Sequence, residues 1–133
     1  MPRNRLVTTQ KGSGVGVLAS ATVNLNEGTS AKQALYTVPA GRKAVVLFIV
    51  PRDFSAPNPA AAVFDVGFNS AGDDLITGVD VTSVAAAGDN HVTSNTGAGK
   101  TGTAAQVLGA KVTTPEGSAL TCTVDVIGYT VAA

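Results

Sequence analysis

Short apolar runs separated by turn-forming residues recur along the chain from Val15 onward. The strongest is the seven-residue run 44–50, which follows a Val-Pro-Ala-Gly turn and ends at Pro51. It is too short to span a membrane and rich in β-branched residues, so it predicts a strand. Both faces of this strand are apolar, since Ala44, Val46, Phe48 and Val50 alternate with Val45, Leu47 and Ile49. Such a strand must be covered on both sides, by a second layer of the domain or by another copy of the chain.

The other apolar segments predict further short strands, at 15–25, 32–38, 61–68, 75–84, 104–113 and 120–131. Pro39 and Gly41 suit a type I turn before the central strand, and 114–118 suits a hairpin between the last two strands. Gly128 indicates a bulge. No segment has helical spacing over three turns. The pattern predicts an all-β, jelly-roll-like β-sandwich of seven or eight short antiparallel strands.

The length of 133 residues indicates one domain at 15–133, preceded by a flexible N-terminal arm at 1–14 that carries three basic residues. Cys122 is the single cysteine, which excludes an internal disulfide framework. No apolar stretch follows the basic N-terminus and no Asn-X-Ser/Thr acceptor occurs, so passage through a secretory pathway is not expected.

Two polar segments are expected to form loops, the first of them at an edge of the sheet or outside it. Three prolines mark the first, at 51–60, because proline cannot donate to a strand ladder. The second, at 85–103, is rich in glycine, alanine, serine and threonine, and is unusually long for a compact domain. We expect it to be either mobile or ordered by a partner.

The net charge is zero, but the two parts of the chain differ. Residues 1–50 hold six basic residues and one acidic residue, a net charge of +5, whereas residues 51–133 hold three basic and eight acidic residues, a net charge of −5. This asymmetry can guide contacts between copies or with a surface. Alternatively, both signs mix on the folded surface.

Candidate chemistry is weak. Residues 94–101 nearly match a phosphate-binding loop, but Ser94 replaces the first glycine and neither a buried strand nor a helix flanks it. His91 with Asp89 lacks further zinc ligands, and Asp73, Asp74 and Asp80 lack calcium-loop spacing. Cys122 lies on the apolar face of its strand, as a buried residue would. We therefore expect no catalytic residue, no metal and no cofactor, and no enzymatic activity.

Three segments carry a resemblance to a known class of proteins: QALYTVPAGRKAVV at 33–46, VFDVGFN at 63–69 and TVDVIGY at 123–129. Together they resemble the small all-β virion proteins of tailed bacteriophages, in which a Tyr-Thr-Val-Pro-Ala-Gly turn opens a core strand and a Val-x-Gly-Tyr strand closes the sandwich. Several of these are capsid decoration or cement proteins, often homotrimers, with a terminal arm that grips the shell.

The resemblance implies a structural virion protein that is made in the host cytoplasm and binds the outer surface of a phage head. Its partners would be the major capsid protein and further copies of itself, with no nucleic acid and no membrane. The arm and the first proline-rich loop supply the expected contact residues, which are Arg3, Arg5, Leu6, Arg52, Asp53 and Phe54.

Two alternatives stay open. The first is a jelly-roll head fibre or tail-associated module that binds a host glycan or protein through the 51–60 and 85–103 loops. The second is a tail component, for which a sixfold ring would be expected instead of a trimer.

Overall fold

The computed structural model describes residues 14–28, 31–57, 59–95 and 101–133. These ranges contain eight β-strands and no helix, and therefore no helix that is long and apolar enough to cross a membrane. The strands are β1 (Gly16–Asn24), β2 (Lys32–Thr37), β3 (Arg42–Arg52), β4 (Val63–Gly67), β5 (Ile76–Asp80), β6 (Thr93–Ser94), β7 (Val107–Thr114) and β8 (Thr121–Ala132).

The strands form two antiparallel four-stranded sheets. The first sheet has the order β1-β8-β3-β6, and the second has the order β2-β7-β4-β5. Apolar side chains from both sheets form one core, with Phe64 and Leu108 from the second sheet and Val46 and Val126 from the first all fully buried. The structure thus confirms the predicted all-β sandwich.

Strand β8 shows the simplest link between sequence and burial. Cys122, Val124 and Val126 are buried, and the residues between them are only half-buried. This is the period-two pattern of a strand with one face on the core, and it confirms the predicted inner face of the last strand.

Strand β3 departs from simple alternation because it contains a β-bulge. Val46 pairs with Gly128 and Phe48 pairs with Ile127, so Leu47 is an extra residue in β3. The bulge turns Ile49 to the core and Phe48 to the opposite face of the sheet. The predicted alternation, which grouped Phe48 with Val46, is therefore wrong beyond the bulge, because an extra residue exchanges the two faces.

The bulge predicted at Gly128 is not in β8, because the extra residues lie on the two neighbouring strands. Leu47 is the extra residue in β3, and Leu18 is the extra residue in β1. Gly128 instead allows a close approach of β3, because a Cβ atom at this position would overlap the carbonyl oxygen of Val45.

The predicted hairpin at 114–118 is wrong, because β7 belongs to the second sheet and β8 to the first. The connection crosses between the sheets and is held in place by Glu116. Its carboxylate accepts hydrogen bonds from the backbone amides of Ala60 and Ala61, and its own amide donates to the Leu25 carbonyl at 3.0 Å. Pro-Glu-Gly-Ser favours a change of direction, and it does not require that the flanking strands pair.

The turn before β3 is placed one residue later than predicted. The amide of Arg42 donates to the carbonyl of Pro39, and Gly41 has a φ angle of 72°. A positive φ at the third residue is the property of a type II turn, which explains why glycine occupies this position.

Both polar segments contribute to the first sheet. Strand β3 continues through Pro51 to Arg52, and the Pro51 carbonyl accepts a hydrogen bond from the His91 amide at 2.9 Å. Thr93 and Ser94 then form β6 against β3, and the Gly102 amide and carbonyl bond to Ala44. His91, Thr93, Ser94 and Gly102 of the 85–103 segment are thus bonded to β3 itself.

On the second sheet, the Lys32 side chain fixes the loop between β4 and β5. Its Nζ atom donates to the carbonyls of Phe68, Asn69 and Val107 at 3.2, 2.8 and 2.9 Å. The aliphatic part of the side chain lies over Gly109, where a Cβ atom would clash with it. Burial lowers the pKa of Lys32, and the nearby Asp74 carboxylate opposes this shift.

We predict that Gly128→Ala lowers the free energy of unfolding by about 3 kcal/mol, since the added methyl group pushes β3 away from β8. Chemical denaturation monitored by circular dichroism measures this change. Gly16→Ala is the matched control, because Gly16 pairs directly with Gly128 but has open space at its Cβ position. Equal stabilities of the two variants would contradict the close approach of β3 to β8 at Gly128.

We predict that the Cys122 thiol is unreactive in the folded protein. Its side chain is in the core, and burial raises its pKa to about 12, so the reactive thiolate is scarce at neutral pH. A thiol reagent at pH 8 should react at least roughly 100-fold more slowly with native protein than with protein in denaturant. Because Cys122 is the only cysteine, the signal has one source. Rapid labelling of native protein would contradict the prediction.

Candidate interaction surface

The outer face of the first sheet carries a continuous set of apolar side chains. Ile127 of β8 pairs with Val17 of β1 on one side and with Phe48 of β3 on the other, which places the three in one row across the sheet. Neighbouring rows on the same face add Val45 with Tyr129, and Val50. We call these six residues the outer apolar patch: Val17, Val45, Phe48, Val50, Ile127 and Tyr129.

The patch is accessible in the described part of the chain. Val17 is 61% exposed, and the other five side chains are half-buried. Further exposed apolar residues occur in the same sheet or next to it, with Leu47 at the bulge, Val131 near the end of β8 and Val92 directly before β6. Single exposed apolar residues are common on protein surfaces, whereas a contiguous group across several strands indicates an interaction site.

A polar cluster borders the patch at one end. The Arg52 guanidinium donates to both carboxylate oxygens of Asp125, at 2.7 and 3.1 Å, and Asp125 also accepts a hydrogen bond from Ser20. The hydrogen bond from Arg52 is the main reason why the pKa of Asp125 is lowered, and the Ser20 hydroxyl adds to the effect. The cluster joins β3, β8 and β1 across the outer face.

Asp53 adds a further negative charge at this end. It forms an ion pair with Arg52, and its side chain is 63% exposed. Arg52, Asp53 and Asp125 together carry a net charge of −1. Asp53 has a φ angle of 53°, in the left-handed region that aspartate and asparagine tolerate better than most residues.

The opposite end of the patch is basic. Lys43 pairs with Val131 and is exposed on the same face. Arg42, one residue earlier, instead donates to Thr130 of the inner row. The outer face is therefore apolar in its centre, with Lys43 at one end and a net negative cluster at the other.

The structure separates the six contact residues expected from sequence. Arg52 and Asp53 lie at the border of the outer apolar patch. Phe54 is only 3% exposed and belongs to the core, so the expected contact through its ring is not available on the surface of the chain. The reason is that a large aromatic side chain gains more from burial than from a loop position in water. Arg3, Arg5 and Leu6 lie outside the described residues.

The acidic residues considered as metal ligands have structural partners. Asp74 accepts hydrogen bonds from the Phe68 and Asn69 amides, and Asp80 accepts from the amide and hydroxyl of Thr82. His91 Nδ1 lies 3.5 Å from the Ser83 hydroxyl. Within the described ranges, no group of three or more histidine, cysteine or acidic side chains is placed to hold a metal ion. Most of the glycine-rich segment that resembles a phosphate-binding loop, at 96–100, lies outside the described residues.

The folded chain mixes the charges of its two parts. Arg42 and Lys43, from the basic part, lie next to β8 of the acidic part, and Asp74 acts electrostatically on Lys32. This favours the second of the two interpretations of the charge asymmetry, because opposite charges from distant parts of the sequence meet in the fold.

No known protein-family model and no curated protein sequence shows a significant match to this chain.

The sequence pattern showed that β3 has two apolar faces, but it did not predict that Val17, Ile127 and Tyr129 belong to the outer apolar patch. Each of these is one apolar residue in a mixed strand, and only the pairing of β1, β8 and β3 brings them together. The period-two pattern of the last strand does indicate two of them, because Ile127 and Tyr129 follow Asp125 by two and four residues and lie on the face opposite Val124 and Val126.

We predict that Asp125→Asn lowers the free energy of unfolding by about 1 kcal/mol at pH 7, because it weakens the bidentate contact with Arg52. The pKa of Asp125 is lowered in the folded state, so its contribution is present above its usual value of 3.8 and is lost as the pH falls through the lower, folded-state pKa. The difference between variant and parent should therefore shrink below about pH 4. Denaturant titrations at several pH values measure it.

Asp53→Asn is the matched control, because it removes the other carboxylate in contact with Arg52. Its effect should be smaller, since Asp53 is largely exposed whereas the Asp125 side chain is 16% exposed. A larger loss for Asp53→Asn than for Asp125→Asn would contradict the assignment.

Proposed function

We propose that this chain is a structural virion protein, a capsid decoration or cement protein that binds the outer surface of a phage head and stabilises adjacent capsomers. The observation that carries the proposal is the outer apolar patch, which covers three long strands of one sheet and leaves Val17, Leu47 and Val131 exposed. Exposure of such a surface to water is unfavourable, so the free energy falls when another protein covers it.

Two further observations support the proposal. The three segments that resemble phage virion proteins lie mainly in β2, β3, β4 and β8, which belong to both sheets of the sandwich. The strand order, with one four-stranded sheet β1-β8-β3-β6 and another β2-β7-β4-β5, supports jelly-roll connectivity in particular. The proposed partners are the major capsid protein and further copies of the chain, with a homotrimer implied by the resemblance.

The stabilising mechanism is linkage. A protein that binds only the assembled shell lowers the free energy of that shell and thereby opposes its expansion or disassembly. This mechanism requires no catalytic group, and the polar side chains described above are used for hydrogen bonds within the fold. Arg3, Arg5 and Leu6 of the arm are the proposed shell contacts, together with Arg52 and Asp53 at the border of the patch.

We predict that deletion of residues 1–14 abolishes binding to phage heads that lack this protein, while the sandwich stays folded. Within the described residues, β1 begins at Gly16, so the deletion leaves every described strand complete. Co-sedimentation with heads measures binding, and circular dichroism with a thermal midpoint measures folding.

Arg3→Glu with Arg5→Glu in the full chain should weaken binding to heads at least roughly tenfold, because it reverses two charges at the proposed contact.

Undiminished binding by the truncated protein would refute the arm assignment, and no binding by the full chain to heads would refute the function itself. Lys11→Glu is a matched control for charge reversal elsewhere in the arm.

A second candidate function is a head-fibre or tail-associated module that binds a host glycan or protein. The specific observation in its favour is that the His91 amide donates to the Pro51 carbonyl, so the described parts of the 51–60 and 85–103 loops start from the same end of the first sheet. A glycan array and a cell-adsorption assay distinguish this module from a cement protein, because only the module binds host material.

A further inference from the structure

Strand β1 is an open edge of the first sheet. In the described part of the chain, β1 pairs with β8 alone. Beyond the bulge at Leu18, residues 19–24 follow β8 in regular antiparallel register. In such a ladder the amide and carbonyl of every second residue point away from the partner strand, so β1 presents backbone groups to whatever lies beside it.

The hydrogen bonds at the end of β1 show which residues face outward. The Leu25 amide donates at 2.8 Å to the carbonyl directly before β8, so Leu25 faces that strand. Asn24 faces the other way, and the Gln33 side chain binds both its amide and its carbonyl at 2.8 Å. By alternation, Thr22 and Ser20 also face outward. Both are exposed, and no loop or side chain of the described residues bonds to their backbone groups.

The other three edge strands in the described ranges are shorter or carry a protective feature, as natural edge strands usually do. Strand β6 has two residues, and β2 carries Lys32. Strand β5 has five residues, contains Gly78 at a φ angle of 67° and ends at Asp80. Strand β1 has nine residues without a charge or a proline. An edge of this kind suits the addition of another strand, because main-chain hydrogen bonds can hold an extended segment there.

We propose that residues 5–10 of this chain pair with β1 as a further antiparallel strand of the first sheet. Residue 14, the first that the structure describes, comes two positions before β1 begins at this same edge. Lys-Gly-Ser-Gly at 11–14 has turn-forming composition and the length of a four-residue hairpin connection. Leu-Val-Thr-Thr at 6–9 has high strand propensity.

The short connection selects this segment over other occupants of the edge. A strand attached through four residues has a local concentration on the order of millimolar at β1, and closure of a short loop costs little entropy. A second copy, or a peptide of another protein, would first have to lose its translational and rotational freedom. A strand parallel to β1 is excluded, because it would need a much longer crossover than 11–14.

The charges agree with the antiparallel direction. Counted back from a turn at 11–14, position 5 lies beside Ser20, or position 6 does if the extra residue Leu18 stays unpaired. Ser20 pairs with Asp125 of the polar cluster, which carries a net charge of −1. Arg5 would thus lie about 10 Å from Asp125, two strand spacings away. This distance is close to the Debye length of about 10 Å at 0.1 M salt, so the attraction is only partly screened.

The further strand is compatible with the proposed shell contacts and does not rest on them. Pairing uses main-chain groups, whereas the side chains of a strand project above and below the sheet. Arg3 precedes the paired segment, and the side chains of Arg5 and Leu6 stay available for the shell. The pairing adds a fixed position on the sandwich from which the arm extends.

Amide hydrogen exchange, followed residue by residue by NMR, tests the pairing. The Ser20 amide of the full chain should exchange at least roughly tenfold more slowly than in a full-length variant with Leu6→Pro and Val7→Pro. Proline has no amide, and one of these two positions faces β1 in either register. Leu6→Thr with Val7→Thr is the matched control, since it keeps the amides and the strand propensity and should keep Ser20 protected. The Leu25 amide should exchange equally in all three proteins, because its acceptor belongs to the sandwich.

Equal exchange of Ser20 in the full chain and in the proline variant would overturn the proposal. Slow exchange that persists in the chain lacking residues 1–14 would overturn it as well, because another group would then protect the edge. Both results are read against Leu25, which reports whether the sandwich itself is intact.

Nuclear Overhauser contacts identify the occupant of the edge. Contacts between 5–10 and 15–20 within one chain are expected, and their absence would overturn the pairing. In a mixture of isotope-labelled and unlabelled protein, the same contacts between different chains would assign the edge to the arm of a second copy and overturn pairing within the chain. Head binding is measured separately, so failure of this pairing and failure of the capsid proposal are distinguishable.

Discussion

The close pairing of β3 with β8 is the constraint on which the first sheet depends. The ladder runs from Arg42 with Ala132 to Arg52 with Thr123, and β1 and β6 are attached on either side of it. Its two halves are in register only because Leu47 is bulged out and because Gly128 has no side chain where the Val45 carbonyl approaches. The bulge decides which β3 side chains reach the core, and hence which are left on the outer face.

The outer apolar patch is a direct consequence of this ladder. Beyond the bulge, Phe48 and Val50 turn outward; Phe48 joins Ile127 and Val17 in one row, and Val50 lies in the next row. A sandwich of two sheets covers only one face of each, so the apolar residues on the second face of β3 have no cover within the described part of the chain. The same residues that make β3 a strong strand thereby leave apolar side chains on the outer face of the sandwich.

Polar side chains act mainly inside the fold. Lys32 donates to three carbonyls of distant segments. Glu116 accepts from the backbone amides of Ala60 and Ala61. The Gln33 side chain donates to the Asn24 carbonyl and accepts from the Asn24 amide. Each satisfies backbone groups that no strand partner reaches, which stabilises loops where ladder hydrogen bonds are missing.

The sequence by itself determined the class of fold, the approximate position of seven strands and the inner face of β8, because period-two alternation and turn residues are local properties of the chain. It also indicated that β3 is apolar on both faces. Only the tertiary structure decided that 114–118 crosses between sheets, that Thr93 and Ser94 pair with β3, and that Phe54 is buried. These depend on which strands become neighbours, and strand pairing joins residues far apart in the chain through backbone hydrogen bonds that carry no sequence signal of their own.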